Sequence, residues 1–203
     1  MTNKTTSNKW LIRPAWILIT VLAIMVILPI LSMAMSFSYS DFNKRHSANI
    51  APLPSETSEA VLQVYAADAY GWRGIFAIHT WIAIKPAGAH TYITYQVFGW
   101  NQRRNRPVLV VTEDIPDRFW FGSDPKLLAD YRGEQASQLI PKVEQAVKSY
   151  PFPNEYTLWP GPNSNSFTAW ISLEVPELGL KLPFSAIGKD WMIRNYEEII
   201  STN

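Results

Sequence analysis

The chain has 203 residues, a net charge of +1 and 47% hydrophobic residues, enough for one globular domain plus a separate apolar element. Cysteine is absent, which excludes disulfides, thiolate metal sites and a cysteine nucleophile. The balanced charge leaves no basic footprint for nucleic acid, and His46, His79 and His90 lack H-E-x-x-H or comparable spacing, so neither a zinc site nor any other cofactor is implied.

No residue from Pro14 to Ser40 is charged, and Trp16 to Met35 is long enough to cross a hydrocarbon core of about 30 Å as a helix. Trp10 and Trp16 fit an interfacial aromatic belt. Lys4, Lys9 and Arg13 precede the run while Asp41, Lys44 and Arg45 follow it, a bias that keeps the N-terminus in the cytoplasm. Ser32-Met33-Ala34 resembles a small-x-small cleavage site, so a cleaved signal peptide is the alternative; the length of the apolar run favours a retained anchor. The organisation expected is a cytoplasmic tail over 1–15, a transmembrane helix over 16–35, a linker over 36–58 carrying Pro52 and Pro54, and an extracytoplasmic domain over 59–203.

Within that domain, Val61 to Ala67 reads as a strand, followed by a turn at Tyr70 to Gly74. Ile75 to Lys85 reads as a second strand, with Phe76, Ile78, Ile82 and Ile84 on one face and Ala77, His79, Trp81 and Ala83 on the other. A hairpin loop at Pro86 to Ala89 returns the chain into Tyr92 to Trp100. With four loop residues Gln96 sits directly across from His79; a change of one moves the partner to Tyr95 or Val97. Arg103, Arg104 and Arg106 mark an exposed connection to a strand over Val108 to Thr112. Pro116 to Gly122 is an aromatic loop holding Arg118 and Trp120.

Helical periodicity follows over Pro125 to Arg132, ended by Gly133, and again over Glu134 to Tyr150, where Pro141 should kink or split the helix. Tyr156 to Trp159 reads as a short strand. The rigid turn Trp159-Pro160-Gly161-Pro162 then leads into a helix whose buried face is Phe167, Trp170, Ile171 and Val175, with Asn163 or Asn165 as N-cap and Pro176 as stop. The remaining tail contains a terminal helix. Strands first and helices after predict an α+β domain, an antiparallel sheet packed against helices.

Two readings of the chemistry follow. Ser164 at a helix N-terminus, His79 on a strand face and Gln96 on the next strand form the parts list of nucleophile, base and orienting group. Trp72, Arg73, Trp81, Tyr95, Arg118, Trp120, Trp159, Asn163, Asn165 and Ser166 would line the cleft. In the second reading Ser164 caps the helix, His79 packs on Trp81, and the tryptophans bind an envelope ligand without catalysis.

Val64-Tyr65, Gly71-Trp72-Arg73-Gly74, His79-Thr80-Trp81-Ile82, Tyr95-Gln96-Val97 with Gly99-Trp100, Pro116-Asp117-Arg118, Ile140-Pro141, Trp159 to Asn165 and Ala186 to Asp190 resemble an uncharacterised bacterial membrane-anchored family, domain of unknown function thirty-seven-fifty. That resemblance implies a membrane-anchored bacterial protein, here single-pass in the inner membrane and facing the periplasm or exterior, but no established activity; cell-wall peptide or lipid as ligand is suggested by that location alone. More distantly, Asn163-Ser164-Asn165-Ser166-Phe167 is similar to the Asn-Cys-x-x-Phe helix start of permuted papain-like enzymes of the NlpC and lecithin retinol acyltransferase groups, with serine in place of the nucleophilic cysteine. It implies hydrolysis or transfer of an acyl group at an amide or ester, with His79 as a true general base because a serine hydroxyl is far harder to ionise than a thiol.

Overall fold

A computed structural model describes residues 16–30 and 46–202. The tail over 1–15, the end of the expected membrane segment at 31–35 and the first part of the linker, 36–45, lie outside the described residues. The chain divides into two units, Met1–Asp41 and Phe42–Asn203. In the first, residues 16–30 form helix α1, exposed along its whole length, with the Thr20 hydroxyl donating to the Trp16 carbonyl at 2.8 Å. Among the described residues no helix is long and apolar enough to cross a membrane.

The second unit is α+β. Five antiparallel strands, β1 (Val61–Asp68), β2 (Ile78–Lys85), β3 (Ile93–Val97), β4 (Leu109–Glu113) and β5 (Lys126–Arg132), lie in the order β4-β3-β2-β1-β5. The helices are α2 (Gly99–Gln102), α3 (Gly133–Lys148), α4 (Ser164–Glu174) and α5 (Lys189–Thr202). Strand alternation divides the sheet into two unlike faces. Leu62, Val64, Ile82, Ile84, Tyr95 and Val97 point toward Val143, Phe167, Trp170 and Ile171 of α3 and α4, making the main core. Val61, Tyr65, Ala67, Trp81 and Ala83 point the other way, into a second cluster closed by Tyr92 and Trp120.

That second face is covered by chain expected to be linker. Asp117, almost wholly buried, accepts the Ser47 hydroxyl at 2.8 Å and the backbone N–H groups of Ile50 at 2.6 Å and Ala51 at 3.1 Å. Ile50 and Ala51 pack on the cluster, and the Tyr92 hydroxyl donates to the Pro52 carbonyl at 2.9 Å. The folded body therefore takes in residues from 46 onward, because one carboxylate satisfies three donors at once.

Four local expectations are corrected. Residues 126–132 form a strand, not a helix. Their register against β1 shifts between Val64 and Tyr65, where a bulge puts Leu128 and Ala129 both against the helix-side core and hides the two-residue period. Pro141 does not split α3, since Leu139, Ile140 and Val143 anchor the helix to the core on both sides of it. Residues 71–75 turn as a 3-10 helix, so β2 begins at Ile78 and Phe76 is exposed instead of facing the core. Tyr156 to Trp159 is not a strand.

The β2/β3 register pairs Ile82 with Tyr95 and Ile84 with Ile93. Counting on, Gln96 lies across from Trp81, and His79 across from the position of Phe98. The hairpin loop is longer than four residues, and the register moves by two. A shift by two leaves every side chain on its own face, so Gln96 becomes the diagonal neighbour of His79.

Candidate functional site

His79 sits on the aromatic face of β2 and is buried. Its ring lies flat on Trp120, with centroids 3.7 Å apart and planes 6° apart, and stacks more loosely on Trp81 at 5.8 Å and Phe98 at 6.4 Å. The Gln96 side chain hydrogen-bonds the ring, while Nε2 has no partner among the described residues. Burial pushes the imidazole pKa down to about 3, with the Arg118 guanidinium adding to the effect and Gln96 opposing it. Arg118 itself is paired with Asp114 at 3.0 Å. The Trp81 indole donates to the Pro116 carbonyl at 2.7 Å, which fixes the loop carrying Trp120 over the histidine.

Thr80, the next residue, points to the helix side, and it is Thr80 that meets the start of α4. Its hydroxyl donates to Asn165 Oδ1 at 3.0 Å, with Thr168 Oγ1 2.9 Å away and the Ser164 carbonyl 3.2 Å away. Asn165 Nδ2 donates to the carbonyls of Ile78 and Ile187, each at 2.9 Å. Asn163 is the N-cap: its Oδ1 accepts the N–H of Asn165 at 2.9 Å and of Ser166 at 3.2 Å, and its Nδ2 donates to the Leu158 carbonyl at 3.1 Å. The Ser166 hydroxyl donates to the Gly188 carbonyl at 2.8 Å. Gly188 has φ of 105°, and a Cβ there would stand 2.3 Å from Asn163 Nδ2, so only glycine lets the loop close on the cap. The Asn/Ser motif is thus a polar knot that ties α4 to β2, to the 157–163 turn and to the 184–188 loop.

The family model described as a protein of unknown function, DUF3750, matches residues 59–191. The chain belongs to the DUF3750 family. No curated protein matches it and no solved structure matches it; the similarity to permuted papain-like enzymes is not shown.

The DUF3750 domain sorts the expected site residues into three places. His79, Gln96, Trp81 and Trp120 share the buried aromatic face, with Arg118 on the loop that covers it. Ser164, Asn163, Asn165 and Ser166 belong to the knot on the other side of β2, and Tyr95 is in the main core, where burial pushes its pKa up to about 12. Trp72, Arg73 and Trp159 lie on surface loops. Tryptophans 72, 81, 120 and 159 do not line one cleft, because two are buried and two project outward. Among the described residues no cluster of His, Asp or Glu could hold a metal ion.

The knot gathers three loops, and their tips are apolar. Ile78 N–H donates to the Ser185 carbonyl at 3.1 Å, and Asn163 and Asn165 reach Leu158 and Ile187. Around this junction Phe184 is 92% exposed, Ile75 81%, Trp159 75% and Trp72 65%, with Phe76 and Leu158 half exposed beside them. Trp72 and Phe76 touch through their rings at 5.5 Å. Ile75, Phe76, Leu158 and Phe184 escape a sequence reading, since Ile75-Phe76 continues the β2 pattern and Phe184 is an isolated residue after Pro183. The one available signal is that Gly71 and Gly74 bracket a turn just before them.

The buried imidazole makes acid a specific threat to this domain. The folded pKa of about 3 lies below the unfolded 6.5, so the unfolded chain binds more protons between those values and stability falls as pH drops through that window. The loss should be about 1.4 kcal/mol per pH unit below 6.5 from this group. Urea unfolding at pH 7 and pH 4.5 should show the drop in the native protein and a smaller one in His79→Phe; equal drops in both would contradict it.

Proposed function

We propose that the protein is a non-catalytic binding module of the bacterial cell envelope, anchored in the inner membrane by residues 16–35 with its folded body outside the cytoplasm. The observation that carries this reading is the exposed apolar crest of Trp72, Ile75, Phe76, Leu158, Trp159 and Phe184, held on three loops by a buried polar knot. Large apolar side chains grouped on the surface of a folded unit mark a contact with something else. The uncharged run from Pro14 to Ser40 and the preceding Lys4, Lys9 and Arg13 support the anchor and its orientation.

The rival, acyl transfer by Ser164, needs a base within reach of the hydroxyl and with a pKa near the working pH. His79 points to the opposite face from the strand residue that meets α4, and its stacked, desolvated ring holds a proton only in strong acid. Asn163, Asn165 and Ser166 have their polar atoms engaged in holding loops together, which supports a structural role for the whole motif.

Treatment of the full-length protein with a fluorophosphonate probe separates the two. The binding reading expects no covalent labelling. Stoichiometric labelling that disappears in Ser164→Ala would establish the serine enzyme in its place.

A further inference from the structure

We infer that the crest is a lipid-contact surface, seating Trp72, Ile75, Phe76, Trp159 and Phe184 at the headgroup and acyl boundary of the bilayer that holds the N-terminal segment. This rests on the binding reading above and names its ligand.

Four observations point to lipid. The crest is carried on segments between the strands and helices, and its most prominent members are highly exposed aromatic or aliphatic side chains of the kind that settle at a membrane interface. Part of the backbone that carries it is already paired: Phe76 and Ala77 N–H groups donate to the Arg73 carbonyl at 3.2 and 2.8 Å, Ile78 N–H to Ser185 at 3.1 Å, Thr157 N–H to Pro162 at 2.7 Å and Ala186 N–H to Pro183 at 3.0 Å. Donors satisfied in this way can enter a poorly solvating layer without the cost of a bare N–H. Segments 71–76, 157–163 and 183–188 hold no Asp or Glu, and Arg73 is their one cation, so nothing in them is repelled by anionic phospholipid. Finally, residues 36–45 can span at most about 36 Å fully extended, so the membrane holding 16–35 is within the domain's reach and a weak contact is sufficient.

The test uses the full chain in nanodiscs of phosphatidylethanolamine and phosphatidylglycerol. Because the sequence has no cysteine, Phe184→Cys and Ala87→Cys each give one labelling site for an environment-sensitive fluorophore. Ala87 lies beyond the far end of the eight residues of β2, about 26 Å of strand from the crest end. The inference expects a blue shift and strong quenching by spin-labelled lipid at position 184, neither at position 87, and loss of both at position 184 when Trp72→Ser and Trp159→Ser are added. Equal quenching at 184 and 87, or none at either, overturns it. In that event a photoreactive residue at 159 reports on the underlying reading: a protein adduct shows that the crest binds a protein and not lipid, and no adduct shows that the binding reading has failed as well.

Discussion

Trp120→Ala should lower the free energy of unfolding at pH 7 by about 3–5 kcal/mol, the usual cost of emptying a buried aromatic site. Trp120 lies on His79 at 3.7 Å and within 6.3 Å of the rings of Trp81, Phe98, Trp100 and Phe121, so its loss opens the whole aromatic face. A second consequence follows from the same contact. Water reaching the imidazole removes the main cause of its depressed pKa, which should climb from about 3 toward the ordinary 6.5. The variant should therefore be less stable at pH 7 and lose less between pH 7 and pH 4.5 than the native protein does. Urea unfolding at the two pH values measures both. A variant with native stability at pH 7 would mean that the ring is not a structural cover.

Asn165→Ala should cost about 2–5 kcal/mol, because two partly buried carbonyls lose this donor at once. The Ile78 and Ile187 carbonyls each accept from Asn165 Nδ2, and the Thr80 hydroxyl loses its acceptor at 3.0 Å. Asn165→Asp is the informative companion. A carboxylate keeps the size and the acceptor but cannot donate to either carbonyl, so it should be no better than alanine. Amide hydrogen exchange should be fastest in the variant at the 71–77 and 184–188 segments, whose attachment depends on this side chain. If Asn165→Asp were as stable as the native chain, the knot would have to be held by something other than these two bonds.

The alternation along β2 could be read from the chain itself: Ile82 and Ile84 against His79 and Trp81 is a two-residue pattern, and the sheet faces follow it. The cap at Asn163, the apolar stripe of α4 and its end near Pro176 were equally legible, since each depends on neighbours within a turn or two. What escaped depends on distant partners or on loop length. Gln96 lies two residues from its expected position because the β2/β3 loop closes later than Pro86 to Ala89 suggests, yet the even shift keeps it on the histidine's face. Lys126–Arg132 looks helical because its bulge breaks the strand period, and only pairing with β1 makes it a strand. The packing of residues 46–54 depends on Asp117, some seventy positions away, and no local pattern marks it. The tryptophans showed their number but not their fate: Trp81 and Trp120 close a core while Trp72 and Trp159 crown the loops.

In-cell photo-crosslinking tests the binding reading most directly. With a photoreactive amino acid placed at Trp159 or Phe184 of the full-length protein, and at Ala87 as the control, the account predicts adducts from the two crest positions and none from the control, with Ser164→Ala leaving the pattern unchanged. Adducts lost on Ser164→Ala, or formed at position 87 and absent from 159 and 184, would contradict it.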